Sequence, residues 1–216
     1  MSTDICILIL FKHPLLITFN IGKKSDGSTI NQDLCTLPNL FISYQTNQEF
    51  NHFINYIISG NLIYQCLIIS KQNLSVITTA VLETYIYDNP EEGTILNRNT
   101  IFSNQYNSYI RAKKKKQSNN INLIIIDDIW QVVPKLKNNS AKQFKQLLNE
   151  GSAFGFHFII GSSMPYRNLL LQLMIEKKQE NKSGVINQLG AEMIFNPDGL
   201  IFFRERNDIN FNTYYP

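Results

Sequence analysis

"LPNLFISYQTNQEFNHFINYI", Leu37–Ile57, decides how this chain is read. Leu40–Ser43 is a short apolar run of the kind that forms a strand buried on both faces. Directly after it, Phe50, Phe53, Ile54, Ile57 and Ile58 fall at the i, i+3, i+4, i+7, i+8 spacing of a helix with one face in a core. In many nucleotide-binding proteins a glycine-rich loop with a lysine fills such a strand-to-helix junction and wraps a phosphate. Here the junction is Tyr44-Gln45-Thr46-Asn47-Gln48-Glu49-Phe50-Asn51, with neither glycine nor lysine.

Working outward, the same two patterns alternate. Cys6–Leu10, Leu15–Ile21, Cys66–Ser70, "INLIIIDDIW" and "GFHFIIGSS" predict strands. Ala141, Phe144, Leu147 and Leu148 mark an amphipathic helix. Further helices are predicted over Tyr106–Lys116 and Asn168–Lys178, and a closing hairpin in "GLIFFRERNDINFNTYY". "KKSDGST" and "DNPEEG" are turn signals, whereas the rest of Ser75–Asn104 has no clear period. Apolar strands alternating with helices imply a three-layer α/β/α domain with a mainly parallel sheet. The shared apolar character of Leu40–Ser43 and Leu123–Asp127 predicts that these strands are neighbours in the sheet interior. Ligands bind beyond the carboxyl ends of such strands, so Tyr44–Asn51, Asp127–Asp128 and Ser162–Met164 are expected on one edge.

The 216 residues suit one large domain over 1–216, with N-terminal strands and an opening segment over 1–36 and a core over 37–216. A hydrophobic fraction of 44% with 17% charged residues is globular. A net charge of +3 does not by itself argue for nucleic acid. Cys6, Cys35 and Cys66 are scattered, without metal-ligand spacing, which predicts a reduced, cytoplasmic setting. "ICILIL" is far short of the roughly 20 residues that span a bilayer, so no membrane insertion is expected.

The ordered segments resemble the RecA-like P-loop NTPase domain of the FtsK/SpoIIIE family, hexameric DNA translocases whose motor domain also powers type VII secretion. The resemblance runs from about Ile17 to the C-terminus. "FNIGKKSDGSTINQDLCTLPNLFIS" resembles the family's segment before the phosphate loop, and "CLIISKQNLSV" the strand that follows it. "LIIIDDI" resembles the Walker B strand. "LLNEGSAFGFHFIIGSSMP" and "INQLGAEMIFNPDGLIFF" resemble two later motifs. The resemblance implies nucleotide-binding positions at Tyr44, Gln45, Thr46, Asn47, Gln48, Glu49, Phe50 and Asn51, a Walker B pair at Asp127 and Asp128, a sensor at Ser163, and a subunit-bridging arginine position at Ser152.

At most of these positions the chain departs from the family pattern. Glycines let consecutive N–H groups wrap phosphate, lysine neutralises it, and Ser/Thr holds Mg²⁺. Phe50 stands in the place of the lysine, and Glu49 puts negative charge where triphosphate would sit. At about 4 Å such a repulsion costs several kcal/mol at intermediate effective dielectric. Asp128 replaces the family's glutamate, Ser163 its glutamine and Ser152 its arginine, and Met174–Ile186 is shorter than the family's segment. The expectation is a pseudo-ATPase: no catalysis, no cofactor and no metal, with a protein partner such as an active motor or a secretion or conjugation component. The chain itself is expected to be a monomer or small oligomer. Two alternatives remain: a divergent ATP-dependent DNA translocase using ATP and Mg²⁺, and a DNA-binding protein independent of nucleotide.

The residues alone also admit plainer roles. An acidic pair at a strand end is often an exposed turn or a helix cap. His157 reads as a core histidine, and His13 and His52 have no ligand partners at metal spacing. The run Arg111, Lys113, Lys114, Lys115 and Lys116 reads first as a solvated helix end favoured by the helix dipole, and second as a weak DNA contact. Tyr106 and Tyr109 are expected to face the core. Phe202, Phe203, Phe211, Tyr214 and Tyr215 are expected in the core or at an interface edge.

Overall fold

The computed structural model describes residues 17–34, 37, 39–60, 65–70, 81–86, 94–116, 121–164, 191–195, 201–205 and 212–214. The expected strand at Cys6–Leu10, the helix at Asn168–Lys178 and the "DNPEEG" turn lie outside them, as do His13, Phe211 and Tyr215.

Two antiparallel strands, β1 (Thr18–Lys23) and β2 (Thr29–Asp33), form a hairpin. Its turn is closed by the Gly27 N–H donating to the Lys24 carbonyl, and Gly27 takes φ +82, a conformation that costs glycine little. The remaining strands build one eight-stranded sheet among the described residues. They are β3 (Asn39–Ser43), β4 (Gln65–Ser70), β5 (Val81–Ile86), β6 (Asn122–Ile126), β7 (Phe156–Ser162), β8 (Ala191–Phe195), β9 (Ile201–Glu205) and β10 (Asn212–Tyr214). The order is β10-β9-β8-β3-β7-β6-β4-β5, with β3 to β8 mutually parallel and β9 and β10 antiparallel additions at one edge. The closing hairpin is therefore β9–β10, with Asn212 opposite Phe203.

The helices are α1 (Asn47–Gly60), α2 (Thr94–Lys115), the single turn α3 (Ile129–Val132) and α4 (Asn138–Glu150). Alternation along the strands divides the core in two. Leu40 and Ile42 of β3, with Cys66, Ile68, Leu123, Ile125 and Ile159, face α1 and the β1–β2 hairpin. Phe41, Leu67, Ile69, Ile124, Ile126, Phe158 and Ile160 face α2, α3 and α4. Helix layers cover both faces, giving the α/β/α arrangement. The α1 stripe is buried at all five expected positions, each contributing about 1.5–3 kcal/mol of gross hydrophobic stabilisation. The α4 stripe, Ala141, Phe144, Leu147 and Leu148, is buried as well.

Two expectations need correction. Helix α2 starts at Thr94, well before Tyr106. Its early turns carry Asn, Thr and Arg among few apolar residues, so their periodicity is faint. Second, β3 does not lie beside β6: β7 pairs in parallel with both and separates them. An apolar run fixes that a strand is interior, not which interior strand it joins, and β7 is equally apolar, with all seven residues buried. The side chains at the ends of β3 and β6 must therefore reach across a strand, a gap of about 10 Å at ordinary strand spacing.

Candidate functional site

The carboxyl ends of β3, β4, β6 and β7 meet at one sheet edge. Tyr44 follows β3, and its N–H donates to the Ser162 carbonyl at 3.1 Å, extending the β3–β7 ladder by a residue. Its side chain crosses β7. The hydroxyl donates to Asp127 Oδ1 at 2.9 Å and lies 3.0 Å from the Asp127 carbonyl oxygen. From the other side, Ser70 at the end of β4 donates its hydroxyl to Asp127 Oδ2 at 2.8 Å. Asp127 is 2% exposed, so these hydroxyls stand in for water around a buried carboxylate.

The crossing is possible because residue 161 is glycine. A Cβ there would lie 2.2 Å from the Asp127 carbonyl oxygen, 2.7 Å from Phe50 Cε2 and 2.9 Å from Tyr44 Cε1. Phe50, fully buried in the first turn of α1, packs its ring 5.0 Å from that of Tyr44. Two aromatic rings thus occupy the space above Gly161, between the start of α1 and Asp127.

The start of α1 is a capping box, the reciprocal pairing of Ser/Thr at a helix entrance with Glu/Gln three residues on. The Glu49 carboxylate accepts from the N–H groups of Gln45 at 3.2 Å and Thr46 at 3.1 Å. The Thr46 hydroxyl accepts from the Glu49 N–H at 3.4 Å. The T-x-x-E spacing is the sequence signal of such a box, one that sequence reasoning missed. Gln45, Thr46, Asn47 and Gln48 are exposed, and Asn51 is half-buried.

Asp128 caps α3: its Oδ1 accepts from the Trp130 N–H at 3.1 Å, and its Oδ2 lies 3.4 Å from the Ser163 hydroxyl. The helix-cap role therefore applies to Asp128, while Asp127 is buried. Ser163 joins this edge, but Ser152 does not. Ser152 lies in the 3₁₀ turn before β7, at the opposite end of the sheet, about 20 Å away along a seven-residue strand. Sequence reasoning missed Ser70 and Gly161. The glycine had a signal, an isolated break in an otherwise apolar strand.

The basic run ends α2 on that opposite edge. Lys113 donates to Glu150 Oε2 of α4 at 2.6 Å and to the Tyr109 hydroxyl at 3.1 Å. The hydrogen-bonded Glu150 carboxylate raises the Lys113 ammonium above lysine's ordinary range. Tyr109 is buried and also donates to Glu150; Tyr106 is partly buried and donates to Gln146 of α4 at 2.8 Å. Arg111, Lys114, Lys115 and Lys116 are exposed. Among the described residues there is no cluster of His, Cys, Asp and Glu suited to a metal, and no helix long and apolar enough to cross a membrane.

No protein-family model matches this sequence, and no curated protein matches it. Solved structures do. The Thermomonospora curvata EccC structure (ATPases 2 and 3), in complex with a signal sequence peptide, superposes with a TM-score of 0.64 over 94% of this chain at 14% identity. The pCW3 conjugation coupling protein TcpA, a monomer form with ATPγS, gives 0.61 over 92% at 10% identity. The cytoplasmic domain of EssC gives 0.59 over 97% at 11% identity. The fold is that of a RecA-like P-loop ATPase domain. This chain spans 41% of the EccC chain, 66% of TcpA and 45% of EssC. The aromatic pair and the capping box both sit at the β3–α1 junction of this fold.

Proposed function

We propose that this RecA-like domain is a pseudo-ATPase, a cytoplasmic module that acts by binding a protein partner in a motor, secretion or conjugation assembly. The observation that carries the proposal is the Tyr44–Asp127 hydrogen bond with Phe50 packed beside it. In a working site of this fold, the Walker B aspartate faces a Mg²⁺ and the helix entrance faces phosphate. Here the aspartate's oxygens are taken by the Tyr44 and Ser70 hydroxyls, and the amides of Gln45 and Thr46 by the Glu49 carboxylate. A triphosphate would have to displace two buried rings and a negative charge from its own seat, so the residues present do not fit it. The secretion and conjugation proteins that share the fold support the kind of assembly in which a binding partner is to be sought.

Calorimetric titration of Mg-ATP into the whole chain tests the proposal, with no saturable binding below millimolar nucleotide as the expected outcome. Phe50→Lys alone should not restore binding, because the junction would still lack the glycines that let backbone amides fold around phosphate. Micromolar binding by the unaltered chain, abolished by Asp127→Ala, would refute the proposal and favour a divergent ATPase.

A further inference from the structure

Strand β5 ends the eight-stranded sheet. It pairs with β4 in parallel and in unbroken register, from Val81 opposite Gln65 to Ile86 opposite Ser70. Among the described residues no strand pairs with its other side. In a parallel ladder every second residue turns both its N–H and its C=O toward one neighbour. Half of the six residues of β5 therefore turn these groups away from β4. Backbone groups of this kind are obligatory hydrogen-bonding partners, and along a strand edge the complement that satisfies them in series is another strand.

Edge strands ordinarily carry features that discourage further pairing: shortness, a bulge, proline or lysine. Other described strands outside the sheet interior have them. At the far side of the sheet, β10 is three residues long. In the β1–β2 hairpin the register shifts between Asn20 and Gly22, and β1 ends at Lys23. None of these features is found in β5. Its six residues, Val-Leu-Glu-Thr-Tyr-Ile, include neither proline nor lysine. Val, Thr, Tyr and Ile favour strands, and Glu83 is the single charge among them.

We propose that the outer edge of β5 takes up an extended, basic segment of a partner protein as an added strand. The proposal rests on the reading of this chain as a binding module and names how it binds. Main-chain hydrogen bonds supply the attraction in strand addition, and charge decides between occupants. From Gln72 to Asn97 the sequence holds four acids, Glu83, Asp88, Glu91 and Glu92, and no lysine or arginine, in a chain of net charge +3. A second copy added edge to edge through β5 would set this acidic stretch against itself. A strand bearing lysine or arginine meets opposite charge instead, and opposite charges across paired strands are favourable where like charges are not.

The test is fluorescence anisotropy of the whole chain with a labelled peptide of about ten residues in which lysine alternates with valine or threonine. Two altered peptides accompany it. One has glutamate in place of lysine. The other is N-methylated at two successive central residues, which removes an N–H from each of its edges. The lysine peptide should bind saturably, and either alteration should weaken binding about tenfold or more. Hydrogen exchange should slow at the amides of Val81–Ile86 when the lysine peptide is bound. Glu83→Lys, with an unchanged urea midpoint, should weaken the lysine peptide and strengthen the glutamate peptide. Equal binding of all three peptides, or protection confined to residues outside Val81–Ile86, would overturn the edge site. A dimer of the chain alone that protects the same amides would overturn the basic partner in favour of a second copy. Absence of lysine-peptide binding at about 50 mM salt, where screening is weak, would overturn the proposal outright. That result would leave the Mg-ATP titration, and the reading it tests, as they stand.

Discussion

Tyr44 is where a change of one atom has the clearest consequence. Tyr44→Phe keeps the ring against Phe50 but removes the hydroxyl that donates to Asp127. A buried acceptor that loses a partner costs about 1–3 kcal/mol, so the urea-unfolding free energy should fall by about that amount; a change within about 0.3 kcal/mol would mean that water or another donor takes over. His157 gives a second test, in pH. It is buried in β7, and its Nδ1 lies 3.2 Å from the Leu34 carbonyl oxygen. Burial holds the imidazole below its ordinary 6.5, against the opposing effect of that carbonyl. Above pH 6.5 both folded and unfolded chains are neutral at this residue, and it contributes no slope. Below 6.5 the unfolded chain takes up a proton that the folded chain resists, so stability falls with pH by at most about 1.4 kcal/mol per unit. Urea midpoints between pH 8 and pH 5 should fall more steeply for the native chain than for His157→Gln, and parallel curves would remove His157 as the cause.

At the scale of elements, the start of α1 is held by two side chains acting as a unit. Thr46→Ala and Glu49→Ala should each cost about 1 kcal/mol, while the double variant should cost less than their sum, since each loses the same box. Strict additivity in denaturant unfolding would show that the hydrogen bonds act separately. Strands and helices with strong periods, β3, α1, β4, α4 and β7, were legible in the sequence because burial on one or both faces dictates their pattern. The first turns of α2 were not, since polar residues there leave little period to read. Nor was the β3–β7–β6 order, because parallel neighbours are set by crossovers and not by any residue within a strand. The site positions were legible as a set on one edge, but their contacts were not: Tyr44 and Asp127 are 83 residues apart, and the bond between them depends on the missing Cβ of Gly161. Gly161→Ala should therefore be strongly destabilising, because one of the atoms in its way is backbone.

For the whole molecule the open question is what a RecA-like domain of this kind assembles into. The family it resembles forms hexameric rings in which nucleotide sits between subunits and a neighbour's arginine reaches it. The sequence resemblance puts that arginine position at Ser152, whose half-buried hydroxyl, in the turn before β7, would supply neither the charge nor the reach. Across the sheet the β3–α1 junction holds the Glu49 cap and the two buried rings of Tyr44 and Phe50, which on the proposed reading leave no phosphate cradle. An interface that relied on nucleotide would lose attraction from both sides here. The expected state is accordingly a monomer or small oligomer at micromolar concentration, unchanged by millimolar Mg-ATP. Light scattering coupled to size exclusion measures this directly. A hexamer that forms without nucleotide would mean that other surfaces hold the ring, and one that forms only with Mg-ATP would mean that Tyr44 and Phe50 leave their places to admit it.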